Sequence, residues 1–445
     1  MRKMRKKKTY IALLLLFLLN LLTAQNIQLH ASNSEIIVEE GKKIQEAIDA
    51  AKPGDTIIVK QGVFFEHLII NKSLKLIGEG YEGTVINGEG KGVAISITNT
   101  ENVVIKGFRI ENSALGILVE NSWNVTIANN NLTLNSRGIL LEEVNSSSMQ
   151  GNVVKRNEYT AVTLEKSNNN EIRGNKIVHN TPYGIYLYDS QGNLVVENYV
   201  AYQCQGIRLE NSSNNIITKN FLEKNSPYAI SVINSYKNNI TENSIINNNF
   251  GIFLEDSTEN FLNANTVALQ SRGIHLSKST GNILRNNNLT RNWLYNFGVH
   301  GEEITHFVHD IDKTNTVEGK PIYYLVNVRN AEIPEDGGFV AIINSSRITV
   351  ENLNLTKNLQ GIVLAYSKEV IVRNSTINNN FDGIYFKFSN NCRIEGNTIK
   401  GNLLGVRLEK SINNIFFHNN FIDNEQHVEA DSKSRNFWDF GYPLG

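Results

Sequence analysis

From residue 94 onward, short apolar alternations recur along the chain at a fixed interval. Units that open on a small residue begin at Ala94, Gly116, Gly138, Ala161, Gly184, Gly206, Ala229, Gly251 and Gly273. They resume at Gly338, Gly361, Gly383 and Gly405, and successive starts are 22 or 23 residues apart except between Gly273 and Gly338. The position after the small residue is Ile117, Ile139, Val162, Ile185, Ile207, Ile230, Ile252, Ile274, Ile362, Ile384 or Val406. Two residues further on stand Val119, Leu141, Leu164, Leu187, Leu209, Val232, Leu254, Leu276, Leu364, Phe386 and Leu408. Alternation with period two predicts short strands with one buried face. Each unit holds two further apolar alternations separated by turn residues, so the pattern predicts three strands per coil. Coils stacked in parallel at about 4.8 Å close an all-β, right-handed parallel β-helix with aliphatic ladders inside.

Asparagine marks the corners. One column runs Asn170, Asn193, Asn215, Asn238, Asn260, Asn282 and Asn414, with Cys392 in an asparagine slot. A second runs from Asn175 through Asn198 and Asn220 to Asn287, then Asn397 and Asn419, and a third includes Asn135, Asn157, Asn180, Asn225, Asn248, Asn292, Asn380, Asn402 and Asn424. Asparagine tolerates left-handed backbone, and its amide can bond to the same amide one coil away. Ahead of the coils, Ile44, Ala47, Ile48 and Ala51 follow helical spacing before Pro53-Gly54, which predicts a short helix over the open end of the stack.

The first residues read differently. Met1 to Lys8 carries six basic residues, and Ile11 to Ala24 is almost wholly apolar. That apolar run of about fourteen residues is short of the roughly twenty a spanning helix needs. Residues 1–24 are therefore expected to be a secretory signal peptide, with a retained N-terminal anchor as the alternative. The expected organisation is β-helix over 35–293, an insertion at 294–337 and β-helix again over 338–445. An exported location follows, whether periplasmic, cell-surface or extracellular, with no stable membrane span after cleavage. Residues 1–24 hold six of the 43 basic residues and none of the 44 acidic ones, so beyond them the net charge is near −7. That balance argues against a nucleic-acid partner. Cys204 and Cys392 alone cannot form a disulfide framework.

The run Ile44 to Ala51, Pro53-Gly54-Asp55-Thr56-Ile57 and Leu74 to Gly80 is similar to the opening of the NosD family of periplasmic proteins. The coils resemble the carbohydrate-binding and sugar-hydrolase repeats of pectate-lyase-like solenoids. Asn315 to Tyr324 (NTVEGKPIYY) and Asn436 to Gly445 (NFWDFGYPLG) also resemble NosD motifs. In the family the closing motif runs on through another glycine and an aromatic segment, so a continuation is expected beyond Gly445. The resemblance implies a copper-related assembly role. It specifies fold more than chemistry, because a shared architecture does not carry an active site with it.

Two places are candidates for function. The first is the outer side of the leading strand of each coil, where Glu165, Tyr186, Tyr188, Arg208, Glu210, Phe253, Glu255 and His275 are expected to line up. Aromatic rings, carboxylates and arginine on one flat face suit a polysaccharide, although outward strand positions are polar in any β-helix. On the same face Glu120, Glu142 and Glu165 are expected to stack, and like charges in register need a basic neighbour, a raised pKa or a cation such as Ca²⁺. The second candidate is the insertion, with His300, His306 and His309 among Glu302, Glu303, Asp310 and Asp312. Imidazoles at that density suit copper or zinc, but no HExxH or CxxC spacing accompanies them. Three readings stay open: a non-catalytic binding or accessory protein whose partner is a polysaccharide or another protein outside the membrane, a polysaccharide lyase, epimerase or hydrolase, and a structural surface protein.

Overall fold

The structure, a computed structural model, describes residues 34–439. The expected signal peptide at 1–24 lies outside them. From Ile36 the chain forms a right-handed parallel β-solenoid of about 18 turns. Each coil contributes one strand to each of three parallel ladders, called faces 1, 2 and 3. In one coil these strands are Tyr183–Tyr188, Leu194–Val196 and Tyr199–Ala201. The next coil pairs in register, with Ile185 opposite Ile207 and Leu187 opposite Leu209. The expected aliphatic columns point inward and are fully buried. The small residue that opens each unit has a steric cause: a Cβ on Gly184 would lie 2.6 Å from the carbonyl oxygen of Gly206.

The asparagine columns are buried hydrogen-bond ladders. Asn198 Nδ2 donates to Asn220 Oδ1 at 3.0 Å and to the Ile172 carbonyl at 2.8 Å. Its Oδ1 accepts from the backbone and side-chain N–H groups of Asn175 at 2.9 and 3.0 Å. Every polar atom of the amide is thereby used, as burial requires. Cys392 does occupy an asparagine slot, its N–H donating to Asn414 Oδ1 at 2.9 Å, and burial pushes its thiol up to about 12. A serine ladder at the corner between faces 1 and 2, unrecognised in the sequence, works in the same way: Ser167 N–H donates to Ser190 Oγ and Ser190 N–H to Ser212 Oγ.

The predicted helix spans Ile44–Ala50 and buries Ile44 and Ile48 over the end of the core. Both of its termini are satisfied from the next coil. Glu66 accepts from the N–H groups of Ile44 and Gln45 at 2.8 and 3.1 Å, and Lys72 Nζ donates to the carbonyls of Ile48, Asp49 and Ala51. Anion at the start and cation at the end match the helix dipole.

The segment 294–337, expected as an insertion that breaks the ladder, is itself built of coil. Tyr295–His300, Asp310–Ile311 and Thr316–Val317 add a last rung to faces 1, 2 and 3. Glu318 and Gly319, both at positive φ, then reverse the chain in a two-residue hairpin that pairs Val317 with Lys320. Lys320–Val326 starts a second stack with its own core of Val340, Ile342, Ile362, Leu364, Ile384 and Phe386. Face 1 of this second stack carries apolar residues on its outer side as well. Ala341, Ile343, Val363 and Ala365 pack with Phe297, Phe307, Ile311 and Val317, so the flank of the second stack closes the open end of the first. What the sequence presents as one interrupted stack is two stacks joined end to flank.

Candidate functional site

The long strands of face 1 in the first stack bring all eight expected sugar-binding residues onto one surface. Thr163, Tyr186, Arg208, Ser231, Phe253 and His275 are successive register partners in one outer column. Glu165, Tyr188, Glu210, Ile233 and Glu255 form the next. Glu142 does face Glu165 in register, as expected.

At the centre of this face the side chains bond to one another. Tyr186 Oη donates to Glu210 Oε2 at 2.8 Å, and Arg208 Nε donates to the same oxygen at 3.0 Å. Arg208 also reaches Gln205 Oε1, which accepts from Ser231 Oγ at 2.8 Å. Burial and the Glu210 carboxylate both raise the Tyr186 pKa, so the hydroxyl keeps its proton. The ring of Tyr186 lies 4.8 Å from Tyr183 and 6.0 Å from Tyr188. Toward the junction a second aromatic group forms from Tyr228, Phe250 and Phe253, with the Arg272 guanidinium 4.5 Å over the Phe250 ring.

Part of this surface belongs to a further column. The position just before the small residue, held by Tyr183, Gln205, Tyr228, Phe250 and Arg272, and in the last rung by Tyr295 before Asn296, also contacts outer-face side chains. It was visible as a run of aromatic and polar residues at the unit spacing, but strand alternation assigns it inward.

His275 is deeper than expected. Its Nδ1 lies 2.8 Å from Tyr295 Oη, and burial pushes its pKa down to about 3. The imidazole is therefore neutral at physiological pH. Burial also raises the Tyr295 hydroxyl, so it keeps its proton and a single hydrogen bond joins two neutral groups.

The three histidines of the expected metal site are not assembled into one. His300 ends face 1 of the first stack, where Lys387, Arg407 and Glu409 of the second stack act on it electrostatically. His306 Nδ1 accepts from the N–H groups of Glu302 and Glu303 and so closes the start of a short 3-10 turn, Ile304–Phe307. His309 is buried and takes the next slot of the first asparagine column, its Nδ1 accepting from Asn282 N–H at 3.3 Å. Among the described residues no group of three or more His, Cys, Asp or Glu side chains is placed to share a metal ion.

The junction adds charged groups that the sequence did not single out. Asp382 is buried, with Oδ1 3.4 Å from Arg407 Nη2, and burial pushes its carboxyl up to about 7 against the pull of Arg407. One column over, Lys387 pairs closely with Glu409. These outer positions of the second stack were hidden because the repeat alone does not reveal that its flank is turned against the first stack.

The solved structures to which the chain is similar are distant in sequence. The chain is 17% identical to a mutant of the periplasmic alginate epimerase AlgG, with a TM-score of 0.40, covering 75% of this chain and 80% of that one. It is 10% identical to the PL6 family alginate lyase AlyGC, with a TM-score of 0.38 and coverage of 90% and 78%. Against the Dettilon tailspike protein the identity is 14% and the TM-score 0.47, over 59% of this chain and 64% of the tailspike. No significant match is found among curated proteins. Three overlapping stretches, residues 48–205, 201–319 and 313–442, match the model of one family, described as periplasmic copper-binding protein (NosD), and the chain belongs to that NosD family.

Proposed function

We propose that this NosD-family protein is an exported, non-catalytic glycan-binding protein that lays its ligand along face 1 of the first stack. The carrying observation is the Tyr186–Arg208–Glu210 network between the Tyr183 and Tyr188 rings. Its polar groups are already fixed to one another, so little side-chain freedom is lost when sugar hydroxyls bind to them. The apolar faces of sugar rings cover tyrosine, and hydroxyls meet carboxylate and guanidinium. Glu210 is committed to two neighbours, which suits a binding group better than a catalytic base. The periplasmic family and the expected signal support export, and no helix among the described residues is long and apolar enough to cross a membrane. The compartment is the periplasm, the cell surface or the extracellular space.

The family description suggests copper, but the described donor set does not fit a centre with three protein ligands. His306 and His309 are committed to backbone N–H groups, and the Cys392 thiol is held protonated by burial. A second reading, a lyase, epimerase or hydrolase of acidic polysaccharides, is favoured by the protonatable carboxyl of Asp382 beside Arg407. A glycan array combined with an activity screen on uronic-acid polymers separates the two. Retention without product supports the binding protein, and product release overturns it. Absence of both favours a structural surface protein.

A further inference from the structure

The place where the two stacks meet holds a groove outside face 1. Its first wall is Trp293 and Leu294, in the turn that leads into the last face-1 strand of the first stack. Its second wall is a corner of the second stack over three successive coils, with Phe381, Leu403 and Glu425 as one column and Asn379, Gly401 and Asp423 as another. The space measures about 550 Å³. Trp293 is 70% exposed, the highest value among the large apolar residues found exposed in the described chain. Trp123 and Trp438 are less so, and the latter is stacked on Phe416 with centroids 4.4 Å apart.

We propose that this junction groove is a binding site for a neutral oligosaccharide, with one sugar ring stacked on Trp293. An exposed indole beside a polar shelf offers an apolar plane to the CH face of a sugar and leaves the ring hydroxyls free to bond sideways. Asp423 and Glu425 stand in the groove as exposed acceptors for those hydroxyls, and bonds to ionised acceptors are the stronger kind. No lysine or arginine is among the residues that line it. A uronate polymer therefore meets two carboxylates without a compensating cation, so the site selects against acidic sugars. A cleft of this volume suits a few sugar rings, whereas a folded partner needs a broad surface of roughly 800 Å² on each side. Clefts between packed units are also where small ligands are commonly held. The site is separate from face 1 and does not depend on the reading given to that face.

Tryptophan fluorescence reads the site directly, because the chain has three tryptophans. The protein is titrated with neutral hexaoses of glucose, mannose and xylose, and with hexamers of mannuronate and galacturonate. At least one neutral oligosaccharide is expected to change the emission with saturation, and the uronates to bind here at least tenfold more weakly. Trp293→Phe abolishes the change, while Trp123 and Trp438 continue to report the fold. Asp423→Asn combined with Glu425→Gln keeps Trp293 and lowers the affinity at least tenfold. Tyr186→Ala, on face 1, leaves the Trp293 titration unchanged, so the two sites fail independently. The proposal is overturned if no neutral oligosaccharide perturbs the emission, if Trp293→Phe keeps signal and affinity, or if uronates bind as tightly.

Discussion

The side-chain amide of Gln360 stands where the next strand would otherwise be for Val299. Its Oε1 accepts from Val299 N–H at 3.4 Å, and its Nε2 donates to the Val299 carbonyl at 3.1 Å. Beside it, Asn296 N–H donates to the Lys357 carbonyl and Leu359 N–H to the Phe297 carbonyl. The edge of the last strand of the first stack is thus closed by the flank of the second, which removes the hazard of an open strand edge.

Gln360→Leu leaves both Val299 groups buried without that partner. The expected loss is about 1–3 kcal/mol of unfolding free energy per stranded group. Chemical denaturation measures it, and hydrogen exchange at Val299 should accelerate while exchange at Ile207, deep in the first stack, does not. An unchanged midpoint together with unchanged exchange would show that the two stacks do not depend on this contact.

The asparagine ladders make a second, local prediction. Asn198→Ala removes a side chain that serves the coils on both sides and leaves the Asn175 N–H and the Ile172 carbonyl short of partners. A destabilisation of roughly 2–4 kcal/mol is expected from one or two unsatisfied buried groups. Asn214→Ala, in an exposed turn outside the ladder, should cost much less, and equal effects at the two positions would contradict the ladder's role.

His309 gives the acid limb of stability a specific cause. Burial holds its pKa at about 3, far below the ordinary histidine value, so the unfolded chain takes up a proton that the folded one refuses. Stability from this group is complete above about pH 6.5 and is lost as pH falls from there toward 3, which amounts to roughly 2 kcal/mol by pH 5. His275 is held down in the same way and adds to this loss. His309→Asn restores the residue type of the column and removes one buried imidazole. The variant should match the parent at pH 7.5 and unfold at higher temperature at pH 5, and equal melting at both pH values would refute the assignment.

Asp382 acts in the opposite sense. Its folded pKa is raised to about 7, so its contribution is complete below the ordinary carboxylate value and is lost as pH rises through 7. Asp382→Asn should therefore flatten the decline in melting temperature between pH 5 and 8. An unaltered alkaline limb would mean that Arg407 already compensates the charge.

Much of this was legible before the structure. The inward columns at Ile185 and Leu187, the asparagine slots, the helix at Ile44 and the outer column from Tyr186 to His275 all follow from local periodicity. In a solenoid each coil contacts mainly its neighbours, so a local pattern specifies nearly the whole fold. What did not follow was long-range. Val363 and Ala365 look like ordinary strand residues, yet they are apolar on the outer side because another stack lies there. Glu318-Gly319 is a hairpin signal that the repeat spacing masked. Histidine density makes His309 resemble a metal ligand, whereas its slot in the asparagine column is hidden in the sequence by the irregular loop before it. Asp382, Lys387 and Trp293 gained meaning only from the junction, which no single coil encodes.

The central claim is that face 1 of the first stack binds a glycan without transforming it. The direct measurement is calorimetric titration of the protein with oligosaccharides retained on a glycan array, with the ligand recovered afterwards and analysed for cleavage or epimerisation. The account predicts saturable binding, an unaltered ligand, and at least tenfold weaker affinity, about 1.4 kcal/mol, in both Tyr186→Ala and Arg208→Ala. Chemically altered sugar, or affinity untouched by either substitution, would contradict it.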